Sequence, residues 1–176
     1  MMKKNLYYFL FISGVSIVLS QDQTVGLFLN TTAAAPGYTL FAPMSYNVTY
    51  LIDNNGELVQ SWFSDYRPGL SVYFLENGDL LRTRRLQGQF FQTGGRGGGF
   101  EILDWDGELV WEFDYFSDQY WQHHDIESLP SGNVLLIAWE YKTDTVAIAN
   151  GRNPNMLGGS QQPFGFWPDH IIEVNP

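Results

Sequence analysis

The chain has 176 residues, nine Lys and Arg against nineteen Asp and Glu, a formal charge of −10 and no cysteine. Without cysteine there is neither a disulfide framework nor a thiolate zinc site. So acidic a chain is repelled by phosphate backbones and anionic headgroups, which argues against nucleic acid and charged membrane surfaces as partners.

Lys3 and Lys4 open the chain, followed by an apolar run from Leu6 to Leu19, with Val18 and Ser20 as small residues ahead of Gln21. The run is shorter than the roughly twenty residues that a spanning helix needs. Residues 1–20 therefore read as a cleaved secretory signal peptide. The domain over 21–176 is expected to be exported, periplasmic or extracellular, with no membrane contact after cleavage. Loss of Lys3 and Lys4 makes it two units more negative still.

Beyond this leader the chain repeats itself. Asp53-Asn54-Asn55-Gly56-Glu57-Leu58-Val59 returns as Asp104-Trp105-Asp106-Gly107-Glu108-Leu109-Val110. A second phrase, Leu75-Glu76-Asn77-Gly78-Asp79-Leu80-Leu81, is answered by Leu129-Pro130-Ser131-Gly132-Asn133-Val134-Leu135-Leu136. Each phrase is a hairpin turn in which glycine supplies positive φ, flanked by alternating apolar residues. Two alternating hairpins in a period of about fifty residues mean four short strands per unit, the signature of a β-propeller blade. The fold class is all-β. Strands are expected at 38–42, 48–53 and 57–63, then 70–75, 79–85, 100–104 and 108–114, then 123–129, 133–140 and 170–174. That is fewer than three blades, where a closed propeller has about four to eight. The domain is read as a partial propeller, a fragment of a larger protein.

The insertion 142–169 is too long for a hairpin loop. Its first part reads as a short helix, with Thr143 or Asp144 as N-cap, Val146–Ala149 as the body and Gly151 as the stop. The glycine run 94–99 lacks the Lys-Ser/Thr of a phosphate loop and precedes a strand, so no nucleotide cofactor is expected there.

In a propeller the start of the first strand, the end of the second and the start of the third share one face. That places Gln122-His123-His124-Asp125, Trp139-Glu140-Tyr141 and Asp169-His170 together, and with them all three histidines of the chain. Adjacent strand residues point to opposite faces. Only one of His123 and His124 is therefore expected to face the central channel, and a metal held by both is disfavoured. A single histidine there can act as nucleophile, proton donor or anion binder.

The chain resembles the bacterial arylsulfotransferase family, the PAPS-independent aryl-sulfate sulfotransferases. The carrying residues are Gly37–Phe41, Tyr50–Gly56, Glu101–Gly107, His123-His124-Asp125-Ile126-Glu127 ahead of Leu129–Asn133, and Trp167-Pro168-Asp169-His170-Ile171-Ile172-Glu173-Val174. The resemblance implies a six-bladed, exported propeller without cofactor. It moves a sulfuryl group from a phenolic sulfate to a phenol through a sulfated histidine. By the same resemblance His124 contacts the sulfuryl or phenol oxygen, His170 orients the groups around it, and His123 and Asp169 lie at the substrate. The sulfated histidine, with its asparagine and arginine partners, would belong to blades beyond Pro176, and the fragment alone would not complete transfer. The reading from a different class is a non-catalytic propeller that binds polysaccharide or a surface partner, which an acidic, aromatic-rich surface would also serve.

Overall fold

The computed structural model describes residues 26–88, 94–156 and 166–176. The expected signal peptide lies outside the described residues, as do Gly158, Gly159 and Pro163 of the insertion. The described chain is nearly all strand, arranged as three antiparallel sheets in sequence order. Sheet I holds β1 (Tyr38–Phe41), β2 (Val48–Asp53) and β3 (Leu58–Phe63). Sheet II holds β4 (Pro68–Phe74), β5 (Leu80–Arg85), β6 (Gly98–Leu103) and β7 (Leu109–Asp114). Sheet III holds β8 (Tyr120–Ser128), β9 (Val134–Glu140) and β10 (Asp169–Val174).

The four repeated phrases form four turns with one hydrogen-bond pattern. In the Asp-Gly pair, Asp53 N–H donates to Glu57 O and Gly56 N–H to Asp53 O, both at 3.0 Å. Asp104 and Gly107 repeat this at 2.9 and 3.1 Å. The aspartate side chain completes the turn, since Asp53 Oδ1 accepts from Glu57 N and Asp104 Oδ1 from Glu108 N, each at 2.8 Å. The bond from Glu57 N–H is the largest cause holding the Asp53 carboxyl below its ordinary pKa. In the second pair, Leu75 and Leu129 donate to Asp79 O and Asn133 O at 2.8 Å. All four glycines have φ between 76° and 93°, the region open to a residue without Cβ.

Alternation along β5 sends Leu80 to one side and Leu81 to the other, and both are fully buried. Leu80 joins Leu51, Trp62 and Leu103 in the seam between sheets I and II. Leu81 joins Phe100, Ile102, Ile126, Val134, Leu136 and Ala138 in the seam between sheets II and III. Sheet II is thus the middle layer, and β6 is buried along its whole length. Each large side chain buried in these seams contributes about 1.5–3 kcal/mol.

Three strands begin earlier than the sequence pattern indicates, at Pro68, Gly98 and Tyr120. For β6 the reason is close approach. Gly99 pairs with Arg84 and Asp114, and a Cβ on it would stand 2.5 Å from Phe113 O, so the ladder there requires the glycine that made the segment look like loop. In the insertion, Thr143 is the N-cap of the six-residue helix α1 (Asp144–Ala149), its Oγ1 accepting from Val146 N at 3.3 Å. The return is pinned by paired backbone bonds between Lys142 and Phe166, and by the Arg152 guanidinium 4.2 Å over the Phe166 ring.

Candidate functional site

Strand β8 carries the site, and it does so because it is irregular. Its pairing with β9 slips between Gln122 and Ile126, and His124 takes φ 53°, a left-handed value uncommon for a residue with a side chain. The strict alternation expected of His123 and His124 is lost in this bulge. Instead of pointing apart, the two rings meet edge to face with Nδ1 to Nδ1 at 2.8 Å. The bulge breaks the expected alternation, yet only His124 is exposed, while His123 is buried behind it.

His123 is 4% exposed and stacked on Trp139, ring centroids 3.9 Å apart. Its Nε2 lies 3.0 Å from Asp169 Oδ1 at the start of β10. A carboxylate only accepts, so the hydrogen of His123 sits on Nε2 and its Nδ1 is bare. His123 Nδ1 then accepts from His124 Nδ1–H, which leaves the lone pair of His124 on Nε2. The chain Asp169–His123–His124 thereby selects the tautomer of the exposed histidine, as a carboxylate orients a catalytic imidazole elsewhere.

Burial pushes His123 below the ordinary histidine pKa of 6.5, outweighing the pull of Asp169 in the other direction. The unfolded chain therefore binds this proton first as pH falls. The stability that His123 contributes is complete above about pH 6.5 and is lost as pH drops through the lowered folded value. The thermal midpoint of the wild type is expected to fall below pH 6.5 more steeply than that of His123→Gln. Parallel slopes would show that His123 titrates alike in both states.

The His124 ring lies against the end of the glycine-rich loop. A Cβ on Gly95, φ 81°, would stand 2.1 Å from His124 Cε1, while His124 N–H donates to Gly95 O at 2.8 Å. Beside the ring opens a hollow of about 460 Å³ lined by Leu70, Ser71, Val72, Tyr73, His124 and Asp125. Asp125 Oδ1 accepts from Tyr73 Oη–H at 2.8 Å and from Ile126 N–H at 2.9 Å. Burial, this bond and the charges of Asp125 and Glu127 push the Tyr73 phenol up to about 12, so it stays a donor at neutral pH. A larger groove of about 730 Å³ lies at the turn end, with Leu75, Trp111 and Pro130 in its walls and Glu76 and Asp79 on its lining. Its lining carries Glu76, Asn77, Asp79 and Ser128 but no histidine, so the smaller hollow beside His124 is the candidate site.

Of the four residues singled out from sequence, the structure joins His123, His124 and Asp169 in one hydrogen-bonded chain. His170 stands apart on the neighbouring face of β10. Its Nε2 is 3.0 Å from Tyr115 Oη across the seam between sheets II and III, and its Nδ1 is buried without a hydrogen bond. Sequence reasoning missed Tyr73, and it placed Gln122 and Trp139 on the histidine face without giving either a role. Gln122 is fully buried and holds the bulge from inside, its amide donating to His123 O and Asp125 O at 3.2 and 3.4 Å and its Oε1 accepting from Gly98 N at 2.9 Å. A glutamine preceding two histidines was the available signal for a polar tie there; Tyr73 gave none.

No known protein family matches the chain, and no curated protein does. Among solved structures it is similar to a protein of unknown function from Bacteroides caccae, with 17% identity and a TM-score of 0.43 over 60% of this chain. The chain spans about a third of that protein's length, 34%.

Proposed function

We propose that the three sheets are successive blades of a β-propeller, and that the whole exported protein is an aryl-sulfate sulfotransferase. The observation that carries this reading is an exposed histidine, His124, aimed by a buried histidine and a carboxylate beside an open hollow. In a propeller β4 and β8 would be innermost strands, and the hollow would open on the central channel. The resemblance of the His123–Glu127 and Trp167–Val174 segments to the sulfotransferase family supplies the reaction class.

The reaction has two halves. The sulfur–oxygen bond of the donor ester breaks as a sulfur–nitrogen bond forms to a histidine on a later blade, and the phenolate departs. The acceptor phenol then attacks sulfur, the sulfur–nitrogen bond breaks, and the acceptor's proton has to be taken up. His124 Nε2, which keeps its lone pair, is the acceptor for that proton or for the hydrogen bond that positions the phenol. His123 spreads the resulting charge toward Asp169. Neither half calls for a nucleotide.

The test is an assay of the full-length gene product with a chromogenic aryl sulfate, a phenol acceptor and no nucleotide. His124→Ala is expected to lower transfer about a hundredfold, the scale of one lost transition-state contact. A folded full-length protein that transfers sulfate from none of several donors would be a binding module, the competing reading.

A further inference from the structure

We propose that Tyr73 is the positioning residue that aims His124, acting from a different sheet through Asp125. This rests on the sulfotransferase reading for what His124 is aimed at, and on geometry alone for how it is aimed.

His124 needs such a device. A left-handed backbone at a residue with a Cβ is strained and persists only where its surroundings over-determine it. Several ties hold the bulge, among them the His124 N–H bond to Gly95 O, the His123–Asp169 bond and two side-chain ties from Gln122 and Tyr73. Gln122 reaches the carbonyls of His123 and Asp125 from inside with neutral bonds of 3.2 and 3.4 Å. Tyr73 reaches the Asp125 carboxylate from β4, the strand lying alongside β8, with a charge-assisted bond of 2.8 Å. Charge-assisted bonds are about twice as strong as neutral ones, so bond for bond the Tyr73 tie outweighs those of Gln122, and it is the one that grips a side chain beyond His124. Asp125 follows His124 directly, and the same Oδ1 also takes Ile126 N–H where regular pairing resumes. The phenol therefore fixes the far end of the irregular stretch. With it released, the strand can relax toward ordinary alternation, in which His124 swings away from His123 Nδ1.

Tyr73 also lines the hollow, so the readout that isolates its positioning role must follow the histidines. In the full chain, imidazole nitrogen NMR shifts would be recorded across a pH titration for the wild type, Tyr73→Phe, Asp125→Ala and Asp125→Asn. Tyr73→Phe and Asp125→Ala are expected to shift the His123 and His124 signals, leaving His170 in place against Tyr115. Asp125→Asn keeps an oxygen that accepts both bonds and is expected to retain the wild-type pattern. Tyr73→Phe should also lower kcat for sulfate transfer about tenfold with KM little changed. Unchanged His123 and His124 spectra in folded Tyr73→Phe would overturn the proposal. If that variant does not fold, Asp125→Ala spectra superimposing on those of Asp125→Asn would do so. Shifted spectra in a protein without sulfate transfer would sustain the positioning role and remove only the reaction.

Discussion

Trp62→Ala is expected to lower the unfolding free energy by about 3–5 kcal/mol, the usual cost of emptying a buried indole site. Trp62 is fully buried in the seam between sheets I and II, touching Leu51, Leu80 and Leu103. Its Nε1–H donates to Asp104 O at 2.8 Å, and its ring meets Trp105 edge-on with centroids 5.7 Å apart. One side chain of β3 is therefore anchored to the β6–β7 turn of the next sheet. A domain holds only about 5–15 kcal/mol in all, so the seam should open well before the rest of the fold. Urea unfolding followed by tryptophan fluorescence measures the loss. Trp62→Phe retains most of the apolar volume and gives up the hydrogen bond, so its cost should be about half. A loss under about 1 kcal/mol for the alanine variant would mean that the seam is not part of the cooperative unit.

The second large effect is expected at Arg82, a guanidinium with no exposed surface in the same seam. Its Nη2 donates to Tyr66 O at 2.9 Å, and its Nε stands 3.4 Å from Glu101 Oε1. Burial raises the Glu101 carboxyl above its ordinary pKa despite Ser64, Arg82 and Arg84, which pull it down. The neighbouring Arg84 is engaged by Glu112 and Asp114 and lies 4.7 Å over the Tyr66 ring. Arg82→Ala removes the partner and leaves Glu101 buried, at a cost of about 3–5 kcal/mol near neutral pH. Because the folded pKa of Glu101 is raised, its proton is bound more tightly in the folded chain. The penalty should shrink as pH falls through that value and Glu101 becomes neutral. Replacing both partners together, Arg82→Met with Glu101→Leu, should cost far less than the single change, since two desolvated charges disappear at once. Equal losses for the single and double variants would show that the pair is not coupled. Chemical unfolding of the wild type and the two variants at two pH values separates these outcomes.

Local signals were legible in the sequence, and contacts between sheets were not. All four turns could be read because an Asn, Asp or Ser within the three residues before a glycine needs only its own neighbours to close. Strand positions followed from the same alternation, and Thr143 and Gly151 marked the ends of α1 for equally local reasons. The grouping of His123, His124 and Asp169 at one end could be read from topology. Their actual arrangement could not, because a period of two has no place for the bulge that turns adjacent histidines toward each other. Tyr73 escaped notice because its partner, Asp125, is far along the chain and belongs to another sheet. Arg82 and Glu101 looked like solvated strand residues, and only the docking of sheet I over them makes them interior.

The ties across the seams bear on how such a chain can be rearranged. Tyr73 reaches Asp125, and Tyr115 reaches His170, each bond running from sheet II to a residue at the histidine end of sheet III. Although the repeats look like interchangeable units, sheet II supplies two hydroxyls to the histidine end of its successor. Shuffling or duplicating a unit would preserve the turns and the apolar layers yet mismatch these donors and acceptors. The units are modular as scaffold and serially dependent as chemistry, so a grafted sheet III would have to travel with the sheet before it.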